Sequence, residues 1–394
     1  MFHSFTIIGN LMKIGIDARC LQESQKTGVA EYAIGVFKHI FLNNSQDEFI
    51  LFLNSFHEID SDLEWLTDFS NVSIKRFYFP NKLINLSFWL LGWPKVDKMV
   101  GGVDVFFMPN SSFIALSNYC KKIITIHDLS FERFPETFSF KRRLWHFMVN
   151  SRNLCRKSDQ IWAVSESTKQ DLEFIYKIDP EKISVSFPPF DHQRFLLENL
   201  SQEKIKKIKN KYNIPFNFIL FIGTIEPRKN IESLIKAFGQ LKKENPIKLK
   251  DLKLVIAGGS GWLCQDVLRE IGKSLVKDDI ILTGFVDDEE KPFLYNFAKV
   301  FVYPSIFEGF GYPPIEAMAA GTPTITSNCS SIPEVVGDSA ILIDPYCPYE
   351  ITIALQQLLF DKELYQYYSE KGKKRAREVS NIFRTWEIEV NMSK

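Results

Sequence analysis

The chain lacks the pairs that cysteine chemistry needs. Six cysteines (Cys20, Cys120, Cys155, Cys264, Cys329 and Cys347) are scattered over 394 residues with no C-x-x-C among them. That scatter suggests neither a zinc site nor a disulfide framework, and a reducing cytoplasm suits it best. Net charge is lacking too. Lys+Arg and Asp+Glu stand at 48 each, so no global field draws the chain to nucleic acid, and an anionic partner must be met by a local patch. Long apolar runs are missing: the most lipid-like, Leu83 to Trp93, contains Asn85 and falls well short of the ~20 residues that span a bilayer. Met1 to Asn10 lack the charged start and long apolar centre of a secretion signal. Residues 1–12 therefore read as a disordered extension, or translation starts at Met12. Short internal repeats and low-complexity blocks are absent.

What is present is ordinary in bulk, at 45% hydrophobic and 24% charged, and a chain of this length can bury two or three proper cores. Its organisation is a series of short apolar strands alternating with helical stretches. The first set reads Lys13 to Asp17, Phe49 to Leu53, Val72 to Phe77, Asp104 to Met108, Lys122 to Ile126, Gln160 to Val164 and Ile183 to Phe187. A lysine-rich helix or linker, Lys204 to Lys211, follows, and Pro215 closes it. The second set reads Phe218 to Ile222, Lys253 to Ala257, Ile280 to Leu282, Val300 to Tyr303, Thr324 to Thr326 and Ala340 to Ile343. Two such sets imply an α/β fold of two Rossmann-like, doubly wound domains facing across a cleft, spanning 13–195 and 196–383. Parallel sheets bind ligands at the carboxyl ends of their strands, so the chemistry belongs in that cleft.

One stretch organises the rest. Residues 303–323 run from a buried-looking strand through Gly309 and Gly311 into a helix whose first residues are Pro313 and Pro314, and Gly321 and Pro323 end it. A glycine turn feeding a helix start presents free N–H groups and the positive end of a dipole to a phosphate. Glu308 and Glu316 bracket the turn. Each has a bland reading, since an acidic loop residue is usually only solvated and a glutamate near a helix start needs no ligand. Together they form a more specific unit. In the second domain, Arg228 and Lys229 follow Gly223 at the end of the first strand and can grip phosphate oxygens, or merely be a solvated pair.

The stretch resembles the E-x7-E region of retaining GT-B glycosyltransferases (glycosyl transferases group 1, mannosyltransferase-like). The resemblance implies that Glu308 touches donor-sugar hydroxyls and that Glu316 holds the nucleotide ribose. It implies that Gly309, Phe310, Gly311 and Tyr312 carry the donor diphosphate, whose departure Arg228 and Lys229 stabilise. His127-Asp128, capping a strand at the cleft edge, matches the pair the family keeps near the reacting centre, with Asp128 orienting the histidine or a nearby loop; a structural histidine is the plain alternative. Gly28, behind Thr27, is either a structural turn or a phosphate contact, and the family often has two glycines there. Gly259, Phe285 and Val286 are candidates for the base and ribose, and Ser305 for a nucleotide contact. Phe383 to Glu387 resembles the closing element from which a final helix, 384–394, packs back on the first domain.

The expected activity is transfer of a hexose, mannose from GDP-mannose first, to a glycan or lipid-linked acceptor of surface polysaccharide or O-antigen synthesis. The region Ile124 to Glu136 is what resembles mannosyltransferases. No cofactor or metal is expected. Asp60-Ser61-Asp62 matches a metal-binding D-x-D pattern but lies in a polar surface stretch where chance triplets are common. Phe140 to Lys157 mixes cations with aromatics and reads either as a peripheral membrane face or as an ordinary amphipathic helix. A UDP-sugar donor, a sugar-nucleotide epimerase or a catalytically silent relative stay open. A phosphorylase would need a pyridoxal lysine site that is not identified.

Overall fold

The computed structural model describes residues 11–22, 28–56, 63–197, 202–259, 261–262 and 264–384. Its strands are runs such as Phe-Ile-Leu-Phe-Ile, buried throughout. Such continuous apolar runs are what strands covered on both faces require. The first sheet comprises β1 (Lys13–Asp17), β2 (Glu48–Asn54), β3 (Val72–Phe77), β4 (Val105–Met108), β5 (Lys121–Ile126), β6 (Gln160–Ala163) and β7 (Ile183–Val185). The second comprises β8 (Phe218–Ile222), β9 (Lys253–Ala257), β10 (Ile280–Gly284), β11 (Val300–Tyr303), β12 (Thr324–Ser327) and β13 (Ile341–Ile343).

Every pairing is parallel, in the orders β3-β2-β1-β4-β5-β6-β7 and β10-β9-β8-β11-β12-β13. Both are doubly wound, and the winding reverses between β1 and β4 and between β8 and β11. The crevice beyond those strand ends is where such folds take ligands. The abundant phenylalanine goes largely inward: Phe37, Phe49, Phe106, Phe218, Phe221 and Phe238 are among the largest fully buried side chains.

Two local readings change. The stretch Phe140 to Lys157 is two helices, Phe140–Val149 and Ser151–Lys157, because Asn150 takes a left-handed conformation at φ 54° and its side chain caps the second. The helix after the glycine turn starts at Tyr312, one residue before the prolines, and runs to Ala319. Of the two readings open for Lys204 to Lys211, the helix holds, spanning Gln202–Tyr212. Thr27, Asp60 to Asp62 and the closing segment beyond Arg384 fall outside the described residues.

The lobes touch at several points. Tyr312 donates through its hydroxyl to the Pro189 carbonyl at 3.2 Å, and Trp262 Nε1 donates to the Thr137 carbonyl at 2.5 Å. Glu334, from the Ile332–Val336 helix, accepts the backbone N–H groups of Glu166 and Ser167 at 2.9 and 3.1 Å. A carboxylate of one lobe thus caps a helix start of the other.

Candidate active site

At the switch point of the second sheet, β8 delivers Glu226, Arg228 and Lys229, and β11 delivers Tyr303, Ser305 and Glu308. Glu308 Oε1 accepts from Lys229 Nζ at 2.5 Å, from Ser305 Oγ at 2.6 Å and from Tyr303 Oη at 2.9 Å. Its Oε2 pairs with Arg228 Nη1 at 3.0 Å. The Arg228 guanidinium also binds Glu226 Oε1 at 2.7 Å and the Phe307 carbonyl. Two cations and two carboxylates are therefore buried together in compensating pairs, the arrangement that makes buried charge tolerable.

Burial alone would raise the Glu308 pKa, but the Arg228 and Lys229 charges and the hydrogen bonds outweigh it and hold it at about 2. Burial and the neighbouring Arg228 push the Lys229 ammonium down, against the pull of Glu308. Burial opposes the Arg228 charge as well, yet Glu308 and Glu226 raise its pKa overall. Glu308 is thus a fixed anion that neither gives nor takes a proton near neutrality.

The turn beyond Glu308 is pinned from behind. Ser330 Oγ accepts the Glu308 N–H at 2.9 Å, and Ser331 Oγ contacts the Glu308 and Phe310 carbonyls at 3.0 Å each. Gly309 must be glycine because an added Cβ would stand 1.9 Å from the His127 carbonyl oxygen in the opposite lobe. Gly311 has φ +97°, and a Cβ there would meet Ile332 Cδ1 at 2.4 Å, so both conformation and space select glycine. Phe310 and Tyr312 pack edge-on, and Phe310 meets Phe187 of the connection at 5.6 Å.

His127 sits across this contact. Its Nε2 lies 2.8 Å from the Pro109 carbonyl, and the edge of its ring meets Tyr32 at 4.8 Å. A carbonyl only accepts, so Nε2 carries the proton and Nδ1 is the acceptor. Burial lowers the His127 pKa against that bond and the Asp128 charge. Asp128 accepts from Ser130 N and Oγ at 2.9 and 2.6 Å, so it orders the loop.

Glu316, on the Tyr312–Ala319 helix, is buried and accepts from Tyr295 Oη at 2.6 Å. Glu31 faces it from the Gly28–Asn43 helix. Burial first, and then the Glu316 charge, raise the Glu31 carboxyl, with Lys291 opposing. Gly28 opens that helix with nothing within 4 Å of an added Cβ. Gly223, Gly259 and Phe285 stand at the ends of β8, β9 and β10, where Gly259 accepts from Ile225 N at 3.0 Å and Phe285 is exposed.

Two site expectations change. Ser305 is fully buried and its hydroxyl donates to Glu308, so it positions that carboxylate. Val286 is a core residue, so only its backbone could reach the cleft. Glu226, Tyr303, Ser330, Ser331 and Tyr295 were not anticipated. Tyr303 carried a signal, as the last residue of a buried strand two before Ser305.

Two doubly wound lobes whose strand ends meet at a buried cation–carboxylate cluster define a GT-B glycosyltransferase fold. The Glycosyl transferases group 1 family matches residues 202–375 and Glycosyltransferase Family 4 matches 62–194. The chain is 32% identical over 249 residues to the serotype-specific mannosyltransferase WbdA of Escherichia coli, covering 62% of this chain and 30% of WbdA. It is 30% identical over 262 residues to the O-antigen chain mannosyltransferase B of Escherichia coli, covering 66% and 67%. Anabaena HepE, solved with UDP and glucose, superposes at a TM-score of 0.68 with 17% identity over 95% of this chain and 98% of that one. The chain belongs to the group 1 glycosyltransferases. It spans about 30% of the length of WbdA.

Proposed function

We propose that the chain is a retaining, metal-independent mannosyltransferase that takes mannose from GDP-mannose and adds it to a hydroxyl of a glycan or lipid-linked acceptor in O-antigen or related surface-polysaccharide synthesis, acting at the cytoplasmic face of a membrane. The observation that carries it is the Glu308–Lys229–Arg228 cluster beside a glycine turn at a topological switch point. Lys229 and Arg228 draw off charge from the leaving diphosphate, together with the N–H groups of the turn. Glu308 orients the donor sugar. Held near pKa 2 by four donors, it is a poor nucleophile, which favours same-face attack assisted by the leaving phosphate over a covalent intermediate. Glu316 holds the ribose and His127 lies near the transferred sugar. The mannosyl assignment is supported by the names of the relatives WbdA and mannosyltransferase B.

The test is thermal unfolding in EDTA with GDP, UDP, ADP or no nucleotide, for wild type and Glu316→Ala. A nucleotide at a hundred times its Kd adds about 2.7 kcal/mol. Stabilisation by GDP alone, lost in the variant, supports the reading. Stabilisation by UDP instead moves the donor to another sugar and keeps the site. Stabilisation only when magnesium replaces EDTA refutes metal independence, and no response to any nucleotide removes the donor-site reading.

A further inference from the structure

The short Ile332–Val336 helix lies directly behind the glycine turn, and the two serines that lead into it grip that turn. Ser330 stands at φ 53°, a left-handed conformation that non-glycine residues seldom adopt. Such a residue persists only where its surroundings over-determine it. Here its hydroxyl oxygen takes the Glu308 N–H at 2.9 Å, while the hydroxyl proton goes to the Cys329 carbonyl at 2.8 Å. Ser331 is fully buried and shares its one proton between the Glu308 and Phe310 carbonyls. Ile332, fully buried as well, fills the space beside Gly311.

The far end of the same helix is held by Arg375, on the Lys362–Arg384 helix. Its Nε donates to the Val335 carbonyl at 2.8 Å and its Nη2 to the Glu334 carbonyl at 2.7 Å. From this fixed base the Glu334 carboxylate reaches the Glu166 and Ser167 N–H groups of the other lobe. Those groups open the Glu166–Asp171 helix, whose Thr168 hydroxyl donates to the His127 carbonyl at 3.2 Å. That carbonyl is the one that leaves no room for a side chain at Gly309. The contacts therefore close a ring, from the turn through Ser331, Glu334, Ser167 and Thr168 to the His127 carbonyl and back to the turn. A ring of hydrogen bonds between packed elements has few independent parts. Loosening one member relaxes the others, and energetic coupling between separate sites consists of this.

We propose that Glu334 and Arg375 are positioning residues that act through this ring, setting the Glu308 turn on one side of the cleft and the His127 carbonyl on the other. Neither bonds to the Glu308 carboxylate, whose partners are Lys229, Ser305, Tyr303 and Arg228. Parting the lobes breaks the ring at Glu334, so the turn takes its fully bonded shape only when they meet. For the proposed transferase, an open cleft then lacks a finished donor site. That purpose rests on the transferase reading, whereas the coupling itself does not.

The experiment is hydrogen exchange of the intact chain, first without nucleotide. It is read at the Glu308 amide, which Ser330 protects, and at the Glu166 and Ser167 amides, which Glu334 protects. Glu334→Ala should quicken exchange at Glu308 by about fivefold or more, the lower end of ordinary coupling between sites. Arg375→Met removes bonds that touch neither reporter and should quicken all three amides. Ser331→Ala should quicken Glu166 and Ser167 across the cleft, because coupling is reciprocal. Glu334→Gln keeps one acceptor oxygen, so its effect at Glu308 should fall between those of wild type and Glu334→Ala. Exchange in β9 is the control for general loosening and should stay unchanged. Quickening in Glu334→Ala confined to Glu166 and Ser167 would make that residue a cap and nothing more, and overturns the proposal. An unchanged Glu166 in Ser331→Ala overturns it too, as does a rise shared equally by β9. GDP or UDP is then added. If the donor reading holds, one of them slows Glu166 and Ser167 by about fivefold or more in wild type, and does so less in Ser331→Ala. No response to either nucleotide, with the variant effects present, removes the donor-site reading and supports the ring.

Discussion

Replacing Glu308 by glutamine keeps the shape of the side chain and removes one charge from the buried cluster. Lys229 and Arg228 would then share Glu226 alone, which pairs with Arg228. Breaking a buried pair by removing one partner costs about 3–5 kcal/mol. An independent route gives a similar figure. The Glu308 pKa of about 2 against an ordinary 4.5 corresponds to about 3 kcal/mol of linkage. A depressed carboxyl contributes its stability above the unfolded value and loses it as pH falls toward the folded one. The wild type should therefore lose this increment between pH 4.5 and 2, and Glu308→Gln should lack that segment of pH dependence. At pH 7 its thermal midpoint should drop by about 6–20 °C, at roughly 2–4 °C per kcal/mol for a lobe of this size. Lys229→Met added to Glu308→Gln should restore part of the stability, because the orphaned cation is gone, while transfer stays abolished. Scanning calorimetry across pH on the wild type, Glu308→Gln, Lys229→Met and the double variant measures this. A single variant within about 1 kcal/mol of wild type, or a double variant less stable than either single one, refutes the coupled-cluster account.

Gly309→Ala places a methyl group where the His127 carbonyl stands, so the lobes should fail to meet. Transfer should fall by about a hundredfold with nucleotide binding retained, since misplacement by about 1 Å has that effect, and small-angle scattering should show a larger radius of gyration. Glu334→Ala removes two helix-cap bonds across the cleft, which are worth about 1–2 kcal/mol; hydrogen exchange at Glu166 and Ser167 should quicken. Tyr295→Phe deprives Glu316 of its donor, costing about 1 kcal/mol, and nucleotide Kd by calorimetry should rise about fivefold if Glu316 meets the ribose.

The strands were legible because a buried parallel strand is a short, nearly unbroken apolar run, and each anticipated strand appears within one or two residues of its place. Glu308, Arg228 and Lys229 could be found because each follows such a strand and precedes or contains turn residues. What they do to one another could not be read, because Glu226, Tyr303 and Ser305 meet them only when β8 and β11 lie side by side. Ser305 illustrates the limit: a hydroxyl near a ligand loop looks like a ligand contact until packing shows that a neighbouring carboxylate uses it. The break at Asn150 was missed because asparagine in a left-handed cap is locally indistinguishable from asparagine on a helix surface. Contacts between the lobes, from Glu334 to Glu166 and from Gly309 to His127, join residues far apart in sequence and leave no periodic trace.

For the proposed transferase, the contact between Gly309 and the His127 carbonyl would give turnover a mechanical step. With the lobes meeting over a missing side chain, the proposed donor and its spent nucleotide would have to pass while they are parted. If transfer occurs in the shut form, every catalytic cycle includes one parting, and its frequency caps the rate however fast the sugar moves. Such a cycle slows as the solvent thickens. The rate should fall in proportion to added sucrose viscosity when parting is limiting, and a poor donor that makes chemistry limiting should erase that dependence.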